Sequence, residues 1–283
     1  MTQTLGSRRA AVSVEELKRA WSAVQAGRFR TCNGVDRELR EPAPPPASNA
    51  WEPGQGERVL PVIGCVGSCG ASTIALALAG AAAFPARVVE CSSVTVSGLV
   101  AASTAELGLH KSGWRRGTRD GVLLERAGGV LVSIAELPTP STPDRPIGLT
   151  VLDVGWEIGQ VAATPAWLGE QVRSADLVIL VTTATVPGLR RLEGALELLA
   201  GTSTCAAVVG PKRKKWPRPV GYSAGPRTRA LEAAGRLVDV PQDRALAIAG
   251  LDATPLPTPL LAAAAALLRL LPPADTTMKG NTP

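Results

Sequence analysis

The chain has 283 residues, of which 45% are hydrophobic and only 3% aromatic, and it carries a formal net charge of +6. This length accommodates one large domain with tails or two small domains, and a core of alanine, leucine and valine suits helices packed on a parallel sheet. No apolar run reaches the roughly 18 uncharged residues of a transmembrane helix, and the N-terminal residues lack the apolar segment of a signal peptide. We therefore expect a cytoplasmic protein.

At the N-terminus, residues 13–29 are predicted to form a short amphipathic helix. Ser13 and Glu16 have the spacing of a capping box. Three apolar residues then recur at helical intervals: Leu17, Trp21 and Val24. A lone helix cannot bury its own apolar face, so we expect it to dock on the rest of the protein or to contact a partner.

Composition divides the chain into four segments. Residues 1–40 form an N-terminal tail with the short helix, and residues 41–57 (EPAPPPASNAWEPGQGE) are predicted to be a proline-rich, extended linker. Residues 58–271 are predicted to form the folded domain. Residues 272–283 (PPADTTMKGNTP) have the composition of a disordered tail.

From residue 58 onward, short β-branched runs alternate with helical stretches, a pattern typical of βαβ units with a parallel sheet. The predicted strands are Val59–Val66, Arg87–Ser92, Leu149–Val154, Leu177–Thr182 and Ala206–Gly210. The predicted helices are Ser72–Ala83, Ser97–Leu107, Pro187–Leu199, Pro226–Ala234 and Pro259–Leu271. Val122–Glu125 and Val130–Ile134 are predicted to form a hairpin or a strand that enters the sheet. The expected fold is therefore α/β, with a mostly parallel sheet flanked by helices.

The most informative stretch, PVIGCVGSCGASTIALALA, runs from an apolar strand through a glycine-bearing turn into an apolar helix that opens with Ser72 and Thr73. This layout directs backbone N–H groups and a helix N-terminus at one point, which is how proteins hold a phosphate. In the standard loop, G-x-x-x-x-G-K-[ST], the lysine reaches the β- and γ-phosphates. Ala71 stands at that position here. The stretch predicts a nucleotide-binding fold without the usual cation.

Two acids end predicted strands that should converge on the loop, because ligands of open α/β sheets bind beyond the carboxyl ends of the strands. Asp153 ends the run LTVLD, where an acid commonly holds Mg²⁺ through water; the alternative is an aspartate that caps the next turn. Glu90 lies in the run RVVECSS and is a candidate to support Mg²⁺ or an attacking water, whereas Ser92 has no charge to do so.

Cationic residues are concentrated in one run, which joins five cations and an indole: Lys212, Arg213, Lys214, Lys215, Trp216 and Arg218. Such a run binds phosphate backbones or anionic lipid, and a solvated basic loop is an equally good interpretation. Arg115 and Arg116 are further candidate cations, with solvated surface positions preferred.

The five cysteines are scattered and odd in number, and the chain has a single histidine, His110. They are Cys32, Cys65, Cys69, Cys91 and Cys205. Reduced thiols fit this pattern better than a disulfide framework. Cys65 and Cys69 flank the loop turn, and buried thiols are preferred there over a metal or redox pair.

From Arg58 to Leu271, the order of motifs resembles the ParA/MinD group of P-loop ATPases, and most of all its atypical CpaE/TadZ-type branch from actinobacterial conjugation or secretion neighbourhoods. The family loop, K-G-G-x-G-K-[ST]-T, lies over residues 66–73, where Val66 and Ala71 replace both lysines. The stretch SADLVILVTTATVPGLRRLEGALELL is similar to the family's strand and helix that follow the Mg²⁺-associated acid. The resemblance implies a P-loop NTPase fold.

The resemblance also implies that the protein binds ATP, or another nucleoside triphosphate, with Mg²⁺. The implied nucleotide-binding residues are Gly67, Ser68, Cys69, Gly70, Ala71, Ser72, Thr73, Pro241 and Asp243. Ser72 and Asp153 are the implied metal ligands, and Asp153 and Glu90 are the implied catalytic residues. The family's second acid and its adenine-reading asparagine are missing, since Ser92 and Gly210 stand in their places.

These losses predict at most a weak ATPase, because one electrostatic clamp on a phosphoryl group is worth roughly 10²–10³ in rate. We expect a nucleotide-binding positioning or assembly factor for conjugation, for secretion or pilus machinery, or for plasmid DNA. The alternative is an active ATPase that cycles between monomer and dimer with other cations. A third interpretation is a scaffold that binds no nucleotide.

Expected partners are proteins of a transfer, secretion or partition apparatus, and a second copy of the chain. Because of the basic run, DNA or a membrane surface is a further expected partner. Either contact would recruit the protein to the nucleoid or to the membrane. The helix Pro259–Leu271 is apolar enough for a surface anchor, but its polar face is almost missing, so we expect it to be a core helix.

Overall fold

The computed structural model describes residues 50–273. The helix predicted over residues 13–29, Cys32 and most of the predicted C-terminal tail lie outside this range. Within it, none of the helices has the length and apolar character needed to cross a membrane.

A single sheet forms the centre of the described domain. Its strands are β1 (Arg58–Gly64), β2 (Ala86–Glu90), β3 (Ala105–Leu109), β4 (Trp114–Arg119), β5 (Val122–Ala127), β6 (Leu149–Asp153), β7 (Val178–Thr183), β8 (Thr204–Val209) and β9 (Leu237–Val240). They lie in the order β3-β4-β5-β2-β6-β1-β7-β8-β9. Pairing is parallel from β5 to β9 and antiparallel only at the β3-β4-β5 edge. The predicted mostly parallel sheet is confirmed.

Helices cover both faces of this sheet, as parallel strands require. The helices are α1 (Ala71–Ala81), α2 (Ile158–Ala163), α3 (Trp167–Ser174), α4 (Val186–Leu198), α5 (Arg218–Tyr222), α6 (Pro226–Ala233), α7 (Arg244–Ala249) and α8 (Thr258–Leu268). Helices α1 and α8 share one apolar core with the sheet. Helices α2, α3 and α4 share the core on the opposite face. Since Leu260 and Leu267 of α8 are buried, the last helix is a core element.

The helix predicted over Ser97–Leu107 is wrong. A short 3₁₀ turn occupies Val94–Val96, and β3 begins at Ala105. The reason is tertiary: residues 105–109 pair antiparallel with β4, and the amides of Gly98 and Leu99 donate to the carboxylate of Glu90. These partners outweigh the local helix propensity.

The strand predicted over Val130–Ile134 is also wrong, although its proposed partner Val122–Glu125 is part of β5. The real hairpin joins β4 to β5 through Asp120 and Gly121, whose φ angles of 48° and 83° are both positive. An Asp-Gly pair is a strong signal for a tight hairpin turn. The arginine-rich β4 lacks the apolar alternation that would have revealed it.

The predicted linker begins to pack on the domain before Arg58. The ring of Trp51 meets that of Trp167 edge to face, with centroids 5.6 Å apart, and the backbone oxygen of Trp51 accepts a hydrogen bond from Gln171. Glu57 forms an ion pair with Arg87 at 2.8 Å. Trp51 and Glu57 are therefore anchored to the domain, whereas residues 52–56 between them are exposed.

A buried arginine on β2 joins several parts of the domain. The guanidinium of Arg87, only 1% exposed, pairs with Glu57 and Glu125 at 2.8 and 3.0 Å, and its Nε donates to the Thr150 hydroxyl at 2.7 Å. Arg116 lies 3.5 Å from the same Glu125 and is also buried. The solvated position expected for Arg116 is therefore wrong, whereas Arg115 is exposed.

Candidate functional site

A cleft of about 1100 Å³ opens beyond the carboxyl ends of the parallel strands. The loop between β1 and α1 forms one wall, and the residues that follow β6, β7, β8 and β9 form the others. Ligands of open α/β sheets bind at this place. All the residues that sequence reasoning assigned to the loop, from Gly67 to Thr73, line the cleft, together with Asp153, Pro241 and Asp243.

The loop has the backbone shape that phosphate binding requires. Ser68 and Gly70 adopt positive φ angles of 55° and 90°, and α1 begins at Ala71, directly after the left-handed Gly70. Within residues 50–273, the amides of Gly67, Ser68 and Ser72 donate no hydrogen bond to another backbone group. The loop therefore offers an N-terminal helix turn and backbone donors to a ligand.

The cleft lacks cationic charge where a triphosphate would lie. Ala71 lines the loop wall, and Val66 packs against the apolar core. Among the described residues, the charged side chains that line the cleft are three acids and one arginine: Asp153, Glu157, Asp243 and Arg191. The groups that can attract an anion are therefore the backbone N–H groups of the loop, Arg191 and a bound cation.

Cys65 and Cys69 are free thiols beside the loop. Burial raises the pKa of the Cys65 thiol to about 12, with a further contribution from the neighbouring Cys69. Burial also raises the pKa of Cys69, against backbone hydrogen bonds from Val66 and Ala71 that lower it. Both thiols are protonated at neutral pH, which makes them poor metal ligands and poor nucleophiles.

Asp153 ends β6 with its carboxyl group buried and is 2% exposed. Its pKa is raised from 3.8 to about 7, first by burial and second by the nearby Glu90, against a hydrogen bond with the Ser72 hydroxyl that lowers it. Strand register explains the proximity of the two acids, because Glu90 and Asp153 are paired positions on adjacent parallel strands. The structure thus brings Ser72, Asp153 and Glu90 together at the foot of the loop.

The oxygens of Glu90 are engaged with a neighbouring segment. Oε1 accepts hydrogen bonds from the amides of Gly98 and Leu99 at 2.6 and 3.2 Å, and Oε2 accepts one from the Ser97 hydroxyl. Burial nevertheless raises the pKa of Glu90. This carboxylate therefore fastens residues 97–99 beside the loop, a role that sequence reasoning did not anticipate.

Residues 97–99 lie directly against Ser72. A Cβ atom added to Gly98 would come within 2.8 Å of the Ser72 hydroxyl oxygen and 3.0 Å of its Cβ. Only glycine fits this close approach without a shift of the neighbouring atoms. The hydroxyl that would contact Mg²⁺ is thus bordered by Asp153 on one side and by the backbone of Gly98 on another.

Another part of the cleft lining is the predicted base-flanking segment. Residues 240–243 line it together with Gly210, and the Asp243 carboxylate accepts the amide of Leu246 at 2.9 Å, so it caps α7. Gly210 has a φ of 148°, and a Cβ there would lie 2.7 Å from that of Ala184. Close packing with Ala184 therefore excludes an asparagine at position 210 in this arrangement.

Two cleft residues were missed by sequence reasoning. Arg191, on α4, is exposed and lines the cleft. Trp156 follows Asp153 and donates its indole N–H to the carbonyl of Cys91 at 2.7 Å. A cation near the start of the helix after β7 was the available signal for Arg191. Nothing in the local sequence distinguished Trp156.

The basic run lies outside the cleft. Pro211 is part of its lining, but Lys212, Lys214 and Lys215 are not. Arg213 pairs with Glu232 at 2.9 Å and with Asp239 at 3.3 Å. This geometry does not provide a substitute for the missing loop lysine.

The residues at the foot of the loop fit Mg²⁺ chemically. Ser72 and Asp153 offer a hydroxyl and a carboxylate, the hard oxygen ligands that Mg²⁺ prefers. A buried acid whose pKa is raised by burial and by a second acid is stabilised by a nearby cation. Within residues 50–273, no cluster of three or more His, Cys, Asp or Glu side chains forms a complete metal site. The remaining ligands would be water and phosphate oxygens.

No protein-family model and no curated protein matches the sequence. Among solved structures, the chain is similar to apo McdA from Cyanothece, with 12% identity, a TM-score of 0.46, and 75% of this chain and 99% of that chain covered. It is also similar to the cell division ATPase MinD of Pyrococcus furiosus, with 16% identity, a TM-score of 0.46, and 75% of this chain and 99% of that chain covered. A third similar structure is a plasmid partition protein from Borrelia burgdorferi, with 11% identity, a TM-score of 0.43, and 78% of this chain and 99% of that chain covered. TM-scores below 0.5 decide nothing about this chain, whose fold class rests on its own strand order.

Proposed function

We propose that this protein is a nucleotide-binding positioning or assembly factor of the ParA/MinD type, with weak or no hydrolysis. The observation that carries the proposal is the loop between β1 and α1, where Gly70 is left-handed and Ser72 adjoins the buried Asp153. In this proposal, backbone N–H groups hold phosphate, and Ser72 and Asp153 hold Mg²⁺. The bound ion would neutralise phosphate charge and relieve the repulsion between Asp153 and Glu90.

Weak hydrolysis follows from what the cleft lacks. Ala71 supplies no charge to a transferring phosphoryl group, and such clamps are worth roughly 10²–10³ in rate each. Glu90 already accepts three hydrogen bonds from residues 97–99. It is therefore poorly placed to orient a water, and we propose that it holds this segment in place.

A positioning role requires a partner surface, and we propose an exposed apolar surface that borders the cleft. It consists of exposed valines on two segments that hydrogen bonds join, Val94 to Gly129 and Ser93 to Leu131. The exposed valines are Val94, Val96, Val100, Val130 and Val132. Val96 also lines the cleft, so a partner bound to this surface would lie next to a ligand in the cleft. Proteins of a transfer, secretion or partition apparatus, including the CpaE/TadZ-type systems, are the partners we propose.

The first experiment identifies any nucleotide that co-purifies with the full chain and measures thermal unfolding with Mg·ATP and Mg·GTP. A ligand at about 100 times its Kd adds about 2.7 kcal/mol of stability. We expect stabilisation by one nucleotide, its loss in Ser72→Ala, and no phosphate release with or without DNA or liposomes. Absence of stabilisation by any nucleotide would leave a scaffold as the better interpretation.

One observation favours the alternative of an active ATPase. Arg191 reaches the cleft and has no ion-pair partner among the described residues, so it is a candidate to replace the missing lysine. Under this alternative, the protein releases phosphate, and both Asp153→Ala and Arg191→Ala abolish the release. Phosphate release that is insensitive to Arg191→Ala would exclude that role for the arginine.

A further inference from the structure

A second cavity, of about 390 Å³, lies beside the basic run, between the 3₁₀ turn Arg213–Lys215 and helices α5 and α6. We call it the arginine–aromatic pocket. Its volume lies within the range of pockets that hold small ligands. The side chains that define it are Arg213, Trp216, Arg218, Tyr222, Arg229 and Glu232.

Two aromatic rings, those of Trp216 and Tyr222, line this pocket. Only the first is held in place by contacts among the described residues. The indole N–H of Trp216 donates to the carbonyl of Pro211 at 2.9 Å, which fixes the orientation of a half-buried ring. Tyr222 is the chain's one tyrosine and is 79% exposed. Within residues 50–273 its hydroxyl has no hydrogen-bond partner in the protein. An exposed ring next to an oriented one is a platform on which a planar group can stack.

The charge around the pocket is strongly positive. Arg213 is held by Glu232 and Asp239, whereas Arg218 and Arg229 form no ion pair with any described residue. Their guanidinium groups remain available to an anion, and three exposed lysines of the same run add to the field: Lys212, Lys214 and Lys215. The phosphate-loop cleft, in contrast, has three acids and one arginine. An extended polyanion would therefore be attracted to this pocket and not to the cleft.

We propose that the arginine–aromatic pocket binds single-stranded nucleic acid. An unpaired base would stack on Tyr222 and Trp216, while the phosphates on either side would contact Arg218, Arg229 and the lysines. A duplex fits less well, because its bases stack on each other and cannot enter a concave pocket. An anionic membrane would use the cations, but the half-buried Trp216, whose indole N–H is bonded to the carbonyl of Pro211, is not free to insert among lipids. The pocket shares no residue with the cleft, so the inference is independent of nucleotide binding.

The test measures fluorescence anisotropy of a labelled oligothymidylate with the full chain, beside a duplex of equal length and vesicles of phosphatidylcholine with phosphatidylserine. We expect preference for the single strand, and a loss of about 10-fold in its affinity in Tyr222→Ala, the scale of one stacked base. Tyr222→Phe keeps the ring and should retain the affinity. Arg218→Ala should weaken binding and reduce its salt dependence. Arg190→Ala, an exposed arginine that lines neither cavity, is the matched control.

Several results would overturn the proposal. One is an equal affinity for single strand and duplex that Tyr222→Ala leaves unchanged, which indicates contact with the lysines alone. Another is an equal loss of affinity in Tyr222→Ala and Tyr222→Phe. Phenylalanine keeps a ring that stacks as tyrosine does, so such a result would show that stacking is not the cause. A third is binding to the anionic vesicles without binding to oligothymidylate, which assigns the surface to a membrane. Since Tyr222 is exposed, its substitution should leave the midpoint of thermal unfolding unchanged. A change in affinity would then be due to the lost contact in the pocket and not to unfolding.

Discussion

Glu90 and Asp153 occupy paired positions at the ends of β2 and β6, and both carboxyl groups are buried. In each case burial raises the pKa, and for Asp153 the proximity of Glu90 raises it further. Glu90 is compensated by hydrogen bonds from residues 97–99, whereas Asp153 has the Ser72 hydroxyl. The acid at the base of the phosphate-loop cleft therefore has fewer compensating hydrogen bonds than Glu90, and a cation there would stabilise its charged form.

The first prediction concerns the pH dependence of stability without Mg²⁺. Because the pKa of Asp153 is about 7 in the folded state and 3.8 ordinarily, the folded protein binds more protons than the unfolded chain between these values. The free energy of unfolding should therefore fall as pH rises from about 4 to 7, by up to about 4 kcal/mol from this group. Glu90, whose pKa is also raised, acts in the same direction.

Urea unfolding at several pH values measures this slope. Asp153→Asn should flatten it, whereas Asp176→Asn, at an exposed surface position, should leave it unchanged. Mg²⁺ should stabilise the wild type more above pH 7 than below pH 5. A slope that persists in Asp153→Asn would show that other groups control the pH dependence.

The second prediction restores the missing cation. In Ala71→Lys, an ammonium group enters the wall of the cleft, where a hydrogen bond to a charged phosphate is worth about 1.5–3 kcal/mol. We expect affinity for Mg·ATP to rise by about 10-fold or more in isothermal titration calorimetry. Ala71→Gln, which has a similar length without the charge, should produce a much smaller gain. Equal effects of the two substitutions would argue against a phosphate site at this loop.

The third prediction uses two glycines beside the same site. Gly98→Ala places a Cβ within 2.8 Å of the Ser72 hydroxyl oxygen, so it should lower the free energy of unfolding by about 1–3 kcal/mol through overpacking. Gly67→Ala adds a Cβ that meets nothing within 4 Å, and its effect should be within about 0.5 kcal/mol. Chemical denaturation of both variants compares them. If Gly98→Ala were as stable as wild type, residues 97–99 would not pack against Ser72 in solution.

The fourth prediction concerns the buried ion pairs that tie residues 51–57 to the domain. Arg87→Met leaves Glu57 without its ion-pair partner and Glu125 with Arg116 alone, and breaking a buried pair costs about 3–5 kcal/mol. The control is Arg58→Ala, which removes a pair with the exposed Asp176 at 3.4 Å and should cost at most about 1 kcal/mol. Similar losses in urea unfolding for the two variants would show that the Arg87 pairs are solvated.

The parallel sheet was predictable because each central strand is a short apolar run that local composition separates from its helices. β1, β2, β6, β7 and β8 all match their predicted runs within a few residues. The antiparallel edge was not predictable in the same way. Its strand β4 is rich in arginine, and two of these side chains are buried by contacts with distant segments. Arg116 lies beside Glu125 of β5, and Arg119 donates to the backbone carbonyls of Ala102, Asp252 and Thr254.

By itself, the sequence determined the α/β class and the phosphate-type loop, together with the absence of the loop's lysine, since these follow from residue types over short distances. It also identified Asp153 as an acid at a strand end. Only the tertiary structure decided what Glu90 does, because its hydrogen-bond partners lie on a segment that local propensity predicted as helix. It also decided that the basic run borders a separate pocket with Tyr222 and Arg229. Strand register and the packing of distant segments control both outcomes, and neither is encoded in a local pattern.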